Sequence, residues 1–419
     1  MTRLRDDRVN LAYTQYNAGL GPAARRNERR IRRDTMAEMN EGEAKAGLNL
    51  MGMSQDALRA LVVSLDEPAY RGGQIYHALY AEKQLDVQAM SNLPLALRER
   101  LAGRASVRLP KIVRTYRSGD GTVRYVLGLE GDATASSSGS GDTRPLKPAT
   151  VETVFMPEEN RQTICISTQA GCAVDCHFCL TATLGLIRNL TAGEIVGQVL
   201  IALGENRDKL KPQTNVVLMG QGEPLLNFDA VMTAVRILLD PKGLAVTPKH
   251  TTLSTSGILP GIDKLALEPV RPKLAISLNA SSNEQRDKIM PINKKYPIEA
   301  LLEACAKYPL RPWEHLTFEY VLLGGFNDSP DDARRVAKLL ANLRVKVNLI
   351  PWNPGDLPYD EPDQRRIDEF QRILVAKDVP AFVRYSRGQD VMAACGQLAL
   401  LESNGGAGSG GELAQISPL

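Results

Sequence analysis

The chain has 419 residues, of which 43% are hydrophobic and 24% are charged, with 51 basic and 48 acidic side chains. This composition is typical of a globular protein and excludes a wholly disordered or fibrous chain. No apolar run approaches the roughly 20 residues of a membrane-spanning helix, and no signal segment begins the chain, which predicts a soluble cytoplasmic protein. The net charge of +3 neither requires nor excludes a nucleic-acid partner.

The first half of the chain predicts two small units after an extension. Residues 1–50 carry nine arginines in their first 33 positions and predict a mobile basic extension. Residues 51–105 have apolar positions at helical spacing behind a Ser54 N-cap, which predicts a helical accessory module. Residues 106–150 predict a β-hairpin followed by a Ser/Gly/Pro-rich flexible insert over 131–148.

The second half, residues 151–401, alternates strand and helix patterns before a predicted disordered tail at 402–419. The strand-like runs fall at 163–169, 214–220, 250–256, 273–279, 315–323 and 345–351. The helical patterns fall at 191–205, 229–239, 298–307, 330–342 and 363–376. Six strand-then-helix units predict a parallel α/β sheet, either open or curled into a partial barrel.

Small and polar residues share one face of three of these strands. Alternation of side chains in a strand gives the pairs Cys165 with Ser167, Ser254 with Ser256, and Ser277 with Asn279. Such faces at the ends of several strands favour a ligand cavity inside a barrel. An ordinary sheet with one solvated face remains the alternative from the pattern alone.

Three of the six cysteines, Cys172, Cys176 and Cys179, lie close together after the first barrel strand. Their thiolates could bind one metal centre from a single loop, and three ligands suit a four-iron cluster with one open iron. A closed zinc site needs four ligands, and His177, between two of the cysteines, is poorly placed to supply the fourth. Zinc and buried structural cysteines remain alternatives from the spacing alone.

The C-x3-C-x2-C motif with Phe178 before its last cysteine resembles the signature of radical S-adenosylmethionine (SAM) enzymes. Six segments between Ser54 and Leu401 also resemble, in order, the RlmN family of adenine-C2 methyltransferases. They are CISTQAGCAVDCHFC (165–179), MGQGEP (219–224), LSTSG (253–257), LAISLNA (274–280), IPWNP (350–354) and ACGQL (394–398). The resemblance implies an α/β fold, a partial (β/α)6 TIM-like radical SAM barrel with a small N-terminal helical accessory domain.

The resemblance implies a substrate and a route for the methyl group. The family methylates C2 of adenosine in 23S rRNA near the peptidyl-transferase centre, and often the adenosine beside the tRNA anticodon. Cys172, Cys176 and Cys179 would hold one [4Fe-4S] cluster per chain, whose open iron binds SAM, with two SAM molecules used per turnover. Cys395 would carry the methyl group, and Cys165 would then resolve the protein–RNA adduct through a disulfide bond with Cys395. Glu152 matches the family's proposed proton acceptor.

The same resemblance implies contacts to SAM and further partners. Gly222 and Glu223 match the segment that meets the methionyl amino group. Matches to the remaining SAM contacts are Ser254, Ser277, Leu278, Asn279 and Asn353. Family members commonly have histidine at the position of Asn279, and a backbone contact would survive that change. We expect a monomer that takes electrons from a donor such as flavodoxin and has no membrane partner.

A basic run extends from the helical module into the hairpin and could grip RNA phosphates, although a solvated charged face is an equal alternative. It comprises Arg98, Arg100, Arg104, Lys111, Arg114 and Arg117. Two other functions compete with C2 methylation: a related resistance methyltransferase that modifies C8 of the same adenosine, and a non-catalytic metal-stabilised RNA-binding protein. Cys305, at helical spacing with Leu301 and Leu302, is predicted to be structural.

Overall fold

The computed structural model describes residues 47–130, 148–354 and 357–398. Nearly all of the predicted basic extension and of the 131–148 insert, and the whole predicted tail, lie outside these ranges. No helix within them is both long enough and apolar enough to span a membrane.

The predicted helical module is present and contains three α-helices. They are α1 (Gln55–Val63), α2 (Tyr70–Tyr80) and α3 (Leu95–Ala102). Ser54 caps the first helix, because its Oγ accepts a hydrogen bond from the Ala57 N–H at 3.2 Å. Two short parallel strands, β1 (Leu48–Asn49) and β2 (Ala105–Ser106), pair at the two ends of the module.

A ten-stranded sheet forms the rest of the fold. Its strands in chain order are β3 (Lys111–Arg117), β4 (Val123–Leu129), β5 (Ala149–Pro157), β6 (Arg161–Cys165), β9 (Gln213–Leu218), β10 (Thr251–Thr255), β11 (Lys273–Ser277), β12 (Leu316–Leu322), β13 (Val345–Pro351) and β14 (Ala381–Val383). Strands β7 (Gln169–Gly171) and β8 (Leu186–Asn189) form a separate antiparallel pair. The spatial order is β14-β13-β12-β11-β10-β9-β6-β5-β4-β3. Within this sheet, β6 and β9 to β14 run parallel to one another, whereas β3, β4, β5 and β6 pair with their neighbours in antiparallel fashion.

In the described ranges, eight α-helices lie between Leu180 and Val375, and five of them are close to the predicted helices. The eight are α4 (Leu180–Thr183), α5 (Ala192–Glu205), α6 (Phe228–Leu239), α7 (Leu259–Ala266), α8 (Asn283–Ile289), α9 (Ile298–Lys307), α10 (Pro330–Leu340) and α11 (Gln364–Val375). Single-turn 3-10 helices lie at Val87–Ala89, Arg207–Lys209, Pro224–Asn227, Pro248–His250, Pro291–Lys294 and Gln389–Val391. This α/β arrangement with a largely parallel sheet is the predicted fold class.

Helices α4, α7 and α8 and two features of the sheet were not predicted. Helix α7 escaped the pattern because Pro260 and Gly261 interrupt it, although proline is well tolerated in the first turn of a helix. Strand β14 is only three residues long. Strand β5 pairs with both β4 and β6, so the predicted hairpin is continuous with the barrel sheet.

The strand faces divide as the alternation predicts. Ile164, Ile166, Leu274 and Ile276 are fully buried in the main hydrophobic core. The residues between them therefore point to the opposite face of the sheet, where the polar pairs lie.

Candidate active site

A cavity opens at the carboxyl ends of the parallel strands, and its space is roughly 1000 Å³ with the open mouth included. Its lining combines thiols, carboxylates and small polar side chains. Among them are Cys172, Cys176, Cys179, Gly222, Glu223, Ser254, Ser256, Ser277, Asn279, Glu319, Asn353 and Cys395. The carboxyl ends of parallel strands are the usual position of ligand sites in barrel folds. Two of the three predicted polar faces, those of Ser254 with Ser256 and of Ser277 with Asn279, therefore line a cavity, whereas Cys165 and Ser167 do not.

The three clustered cysteines lie on the loop between β7 and α4. Gly171 begins this loop with a φ of +71°, and a Cβ there would lie 1.8 Å from the Gly185 carbonyl oxygen, so glycine is required. The Cys179 N–H donates to the Cys176 carbonyl at 3.0 Å, which tightens the turn. All three thiols consequently face one cavity.

These thiols fit an iron–sulfur cluster. Burial raises the pKa of Cys172 to about 12 and also raises the pKa values of Cys176 and Cys179. Cationic iron would offset the cost of holding them as buried thiolates. In the described ranges, no three His, Cys, Asp or Glu side chains gather closely enough to share a single ion. A four-iron cluster does not require such convergence, because each thiolate binds a different iron.

His177 lies among these cysteines but does not line the cavity. Its Nδ1 is 2.8 Å from the Lys288 carbonyl oxygen, and its backbone N–H donates to the Ile289 carbonyl. The ring is therefore engaged away from the three thiols, as expected for a residue without a ligand role.

The Gly222–Glu223 turn is tightly constrained. Gly222 has a φ of +99°, and a Cβ there would lie 2.5 Å from Cβ of Gln169. The Glu223 carboxylate accepts hydrogen bonds from the backbone N–H of Ser256 at 2.7 Å and from its hydroxyl at 2.8 Å. Burial raises the pKa of Glu223, and these bonds oppose the rise. A carboxylate held in this way can receive an ammonium group.

Ser254 contacts a carboxylate that the sequence analysis missed. Its hydroxyl donates to Glu319 Oε2 at 2.6 Å. Glu319 is largely buried, lines the cavity, and has a pKa that burial raises. A glutamate in the otherwise apolar strand LTFEYVL was the available signal, since buried carboxylates are rare without a role.

The predicted contacts at 277–279 do not all reach the cavity. Ser277 and Asn279 line it, whereas the fully buried Leu278 does not. Asn279 has a φ of +55°, a conformation that asparagine tolerates well. Its side-chain oxygen accepts a hydrogen bond from the Val321 N–H at 2.8 Å, which ties the end of β11 to β12.

Arg286 is a second residue that the sequence analysis missed, and it holds these strand ends together. It is fully buried, and its guanidinium donates to the carbonyl oxygens of Ser256 at 2.7 Å and Ser277 at 3.0 Å. It also donates to the carbonyl oxygen of Leu278 at 3.1 Å. Burial lowers the pKa of Arg286 to about 10, so it remains charged at neutral pH.

Cys395 lies on a C-terminal segment that packs against the cavity. Asn353 Nδ2 donates to the Cys395 carbonyl oxygen at 3.2 Å, and the Leu180 N–H donates to the Gly396 carbonyl at 2.8 Å. Cys395 is exposed, yet its surroundings raise the pKa of its thiol to about 12, mainly by desolvation and then by the charge of Glu319. This combination fits a thiol that meets solvent only through the cavity.

Cys165 lies beside this segment at the end of β6. It is buried in a small apolar cluster with Val154, Ala393 and Leu398. Burial raises the pKa of Cys165, and the charge of the Cys395 thiolate raises it further. Ala393 and Leu398, which contact Cys165, lie two and three residues from Cys395 along the chain. All six cysteines are free, and the predicted Cys165–Cys395 disulfide is therefore not formed in this state. Cys305 is buried in the main core, in agreement with the structural role predicted for it.

Glu152 does not line the cavity, but it shares a face of β5 with Val154, which contacts Cys165. It is fully buried, and its Oε1 accepts a hydrogen bond from Arg124 Nη1 at 2.9 Å. Burial raises the pKa of Glu152 to about 7, while Arg124 lowers it. Its other oxygen, Oε2, has no hydrogen-bond partner among the described residues. A carboxylate in this state can take up a proton near neutral pH.

Comparisons with known proteins agree with this site. A family model described as the radical SAM superfamily matches residues 166–340, and one described as the ribosomal RNA large subunit methyltransferase N-terminal domain matches residues 48–107. A curated relative from Koribacter versatilis, a probable dual-specificity RNA methyltransferase RlmN, is 46% identical over 80% of this chain and 96% of its own length. Another RlmN, from Anaeromyxobacter dehalogenans, is 43% identical over 84% of this chain and 91% of its own.

A solved structure extends the similarity to the fold. The crystal structure of a radical SAM methyltransferase from Sphaerobacter thermophilus has a TM-score of 0.75 and 40% identity to this chain. It covers 84% of this chain, and the match spans 99% of that protein. The two family models cover the helical module and, separately, the cysteine loop with most of the parallel sheet. The chain therefore belongs to the RlmN family of dual-specificity RNA methyltransferases, within the radical SAM superfamily.

Proposed function

We propose that this protein methylates C2 of an adenosine in 23S rRNA and of the adenosine beside the tRNA anticodon. The observation that carries the proposal is that Cys395 lines one cavity with the three clustered cysteines, while Cys165 packs against the segment that carries Cys395. Three cysteines suffice for a cluster, so the other two thiols are available for chemistry on RNA. Membership of the family supplies SAM and a [4Fe-4S] cluster as cofactors.

Cys172, Cys176 and Cys179 would hold the cluster, which when bound supplies the electron that cleaves SAM and starts radical chemistry. SAM would be oriented by the residues Gly222, Glu223, Ser254, Ser277, Leu278, Asn279 and Asn353. Leu278 would act through its backbone or through packing, since its side chain does not line the cavity.

The chain's own thiols then move the methyl group. The Cys395 thiol would lose its proton to solvent, and the thiolate would attack the methyl carbon of a first SAM, so that S-adenosylhomocysteine leaves. The S-methyl group of Cys395 would lose one hydrogen atom to the radical chemistry that a second SAM supplies when bound, and its carbon would then add to C2 of the adenine ring. Glu152 takes the C2 proton, because its pKa near 7 makes it a fitting acceptor.

Cys165 completes the cycle by attacking the sulfur of Cys395. After the adduct has given one electron back to the cluster, the S–S bond forms as the bond between Cys395 sulfur and the RNA-bound carbon breaks, and that carbon takes a proton to become the methyl group. A thiol reductant afterwards reopens the disulfide. Because Cys165 already packs against the segment that carries Cys395, this step needs little rearrangement. We propose that the protein acts in the cytoplasm as a monomer, with an electron donor of the flavodoxin kind and with the 51–105 module contributing to RNA binding.

Nucleoside analysis by mass spectrometry tests the proposal. A bacterial strain that lacks the native enzyme should regain 2-methyladenosine in rRNA and tRNA when this protein is expressed. Cys395→Ala should restore none while keeping the cluster absorption, and Cys165→Ala should accumulate a covalent protein–RNA adduct. Detection of 8-methyladenosine alone would overturn the assignment, and an absence of SAM cleavage after anaerobic reconstitution would favour a non-catalytic protein.

A further inference from the structure

The loop that joins β3 and β4 contacts a distant part of the chain. This turn, Ser118–Gly121, meets residues 387–390, which immediately precede the Cys395 segment. Asp120 Oδ2 accepts hydrogen bonds from Arg387 Nε at 3.2 Å and from the Gly388 N–H at 3.2 Å. Asp390 Oδ2 accepts from the Gly119 N–H at 3.2 Å, so contacts run in both directions.

The Arg387 guanidinium uses its remaining donors on the same region. Its Nη2 donates to the Asp120 carbonyl oxygen at 3.0 Å, and its Nη1 donates to the Pro157 carbonyl at the end of β5. One arginine thus joins the hairpin turn, strand β5 and the C-terminal segment. A planar guanidinium with several fixed donors suits such a junction, and lysine could not replace it fully.

The backbone at this junction is equally specific. Gly388 has a φ of +64°, and a Cβ there would lie 2.8 Å from Thr122 Cγ2 and 2.9 Å from Ala393 Cβ. The segment then turns through Met392, whose φ is +53°. Non-glycine residues adopt this conformation at a cost, which surrounding contacts must offset.

Asp120 is suited to remain charged. Although burial alone would raise the pKa of Asp120, hydrogen bonds from Thr122, Ser118 and Gly388 hold it well below the usual range. Asp120 is therefore an anion at neutral pH, 3.2 Å from the Arg387 guanidinium.

From this geometry we propose that Asp120, Arg387 and Gly388 form a latch that positions the methyl-carrying thiol of Cys395 at the cavity. The latch acts seven residues before the thiol, and Asn353 and Leu180 hold the segment at the thiol itself. Asp120 and Arg387 are positioning residues, because they do not line the cavity that would hold SAM. The inference rests on the proposed role of Cys395 as methyl acceptor.

The test uses the full-length reconstituted enzyme and the variants Asp120→Ala, Arg387→Ala and Gly388→Ala. Mass spectrometry of the Cys395 peptide should show methyl transfer from SAM slowed about tenfold or more, equal to about 1.4 kcal/mol. We expect an effect of this modest size because both charged side chains are about one-third exposed, and solvent weakens their ion pair. Cluster absorption and SAM affinity should not change, because the substitutions should lower only the rate of methyl transfer to Cys395.

A second readout does not depend on the reaction. Alkylation of Cys395 by iodoacetamide should become faster in the same variants, because release of the segment frees the thiol. Arg387→Lys should recover part of the methyl-transfer rate, and the Asp120→Ala/Arg387→Ala double variant should be no slower than either single variant. Glu303→Ala, which removes an exposed ion pair with Lys307 on α9, is the matched control and should behave like the wild type.

The outcomes separate the two claims. Unchanged methyl transfer and alkylation in all three variants would overturn the latch. A loss of transfer that merely follows loss of SAM affinity or of cluster would also overturn it, because the fold and not the thiol position would then be at fault. If wild-type Cys395 never receives a methyl group, the proposed function fails, while the alkylation comparison still decides the latch.

Discussion

Arg124 and Glu152 form a buried ion pair whose disruption should change the pH dependence of proton removal from the RNA base. The two side chains are 10% and 0% exposed, and their closest N–O distance is 2.9 Å. Burial raises the pKa of Glu152 to about 7, and the Arg124 guanidinium opposes that rise. Arg124→Met removes the opposing charge, keeps a side chain of similar length, and should therefore raise the pKa of Glu152 further.

Coulomb's law gives the size of the effect. Opposite charges about 4 Å apart attract by about 4 kcal/mol at an effective dielectric constant of about 20. This equals about 3 pKa units at 1.36 kcal/mol per unit. Water that enters the vacated space will weaken the effect. We therefore expect the midpoint of the acid limb, in a plot of the methylation rate against pH, to rise by about 1–2 pH units. At pH 7.5, the ionised fraction of Glu152 should then fall by roughly threefold to 25-fold.

The raised pKa also has a consequence for stability. Glu152 has an ordinary value of 4.5 and a folded value of about 7, so the folded state holds more protons between these limits. Its contribution therefore becomes less favourable as pH rises from 4.5 through 7. In Arg124→Met this loss should continue above pH 7, and urea unfolding at pH 6 and pH 8.5 should reveal a larger difference than in the wild type.

The kinetic assay follows methylated RNA in a single turnover of enzyme already methylated at Cys395, between pH 5.5 and pH 9. SAM cleavage is measured in the same samples and shows whether a substitution has damaged the cluster. Arg124→Lys retains a positive charge and should keep a midpoint near 7, while Glu152→Gln should abolish the limb. An Arg124→Met profile that coincides with the wild type would refute the reasoning, since Arg124 would then not control the protonation of the base.

Three further predictions follow from the site and the core. Gly222→Ala should weaken SAM binding at least tenfold in calorimetric titrations, because its Cβ would meet Gln169, whereas Gly325→Ala, which has a φ of +70° and open space, should bind SAM normally. Arg286→Gln should lower the free energy of unfolding by about 3–5 kcal/mol in urea, because several buried carbonyl oxygens lose a charged donor; a loss below about 1 kcal/mol would contradict the role of Arg286 at the strand ends. Cys305→Ala should cost about 1–2 kcal/mol of stability through a small core cavity but leave RNA methylation unchanged, so a loss of methylation by a stable variant would show that Cys305 is not merely structural.

Part of the site could be predicted from the sequence, because the alternation of side chains in strands and the spacing of the cysteines can both be read from it. The two-residue period of a strand placed Ser254 and Ser277 on one face, and both line the cavity. Arg286 could not be found in this way, since its helix NEQRDKI has the composition of an exposed helix. Its burial arises from the packing of two strand ends around it, which no local pattern records. Glu152 was predicted only from the resemblance, and its burial follows from the pairing of β5 on both sides.

The fold was predictable to a similar degree. Long periodic elements such as α5 and α6 were located within a residue or two. The connection between the hairpin and the barrel could not be predicted from the sequence. The pairing between β4 and β5 joins segments on either side of the insert at 131–148 and depends on contacts distant in sequence. The same holds for the contact between Asp120 and Arg387, which are 267 residues apart.

Strand β3 forms one edge of the ten-stranded sheet, and such an edge is a hazard because its backbone can pair with a strand of another molecule. Here a register shift between Ile112 and Arg114 breaks the regularity of the edge, and Lys111 and Arg117 add positive charge along it. Irregularity and charge together discourage aggregation through strand addition. A polyanion meets no such obstacle, since it brings no strand to pair and is attracted by the same charges. The devices that protect this edge from strand addition therefore place no barrier before a polyanion, which is what the predicted contact of the basic run with RNA requires.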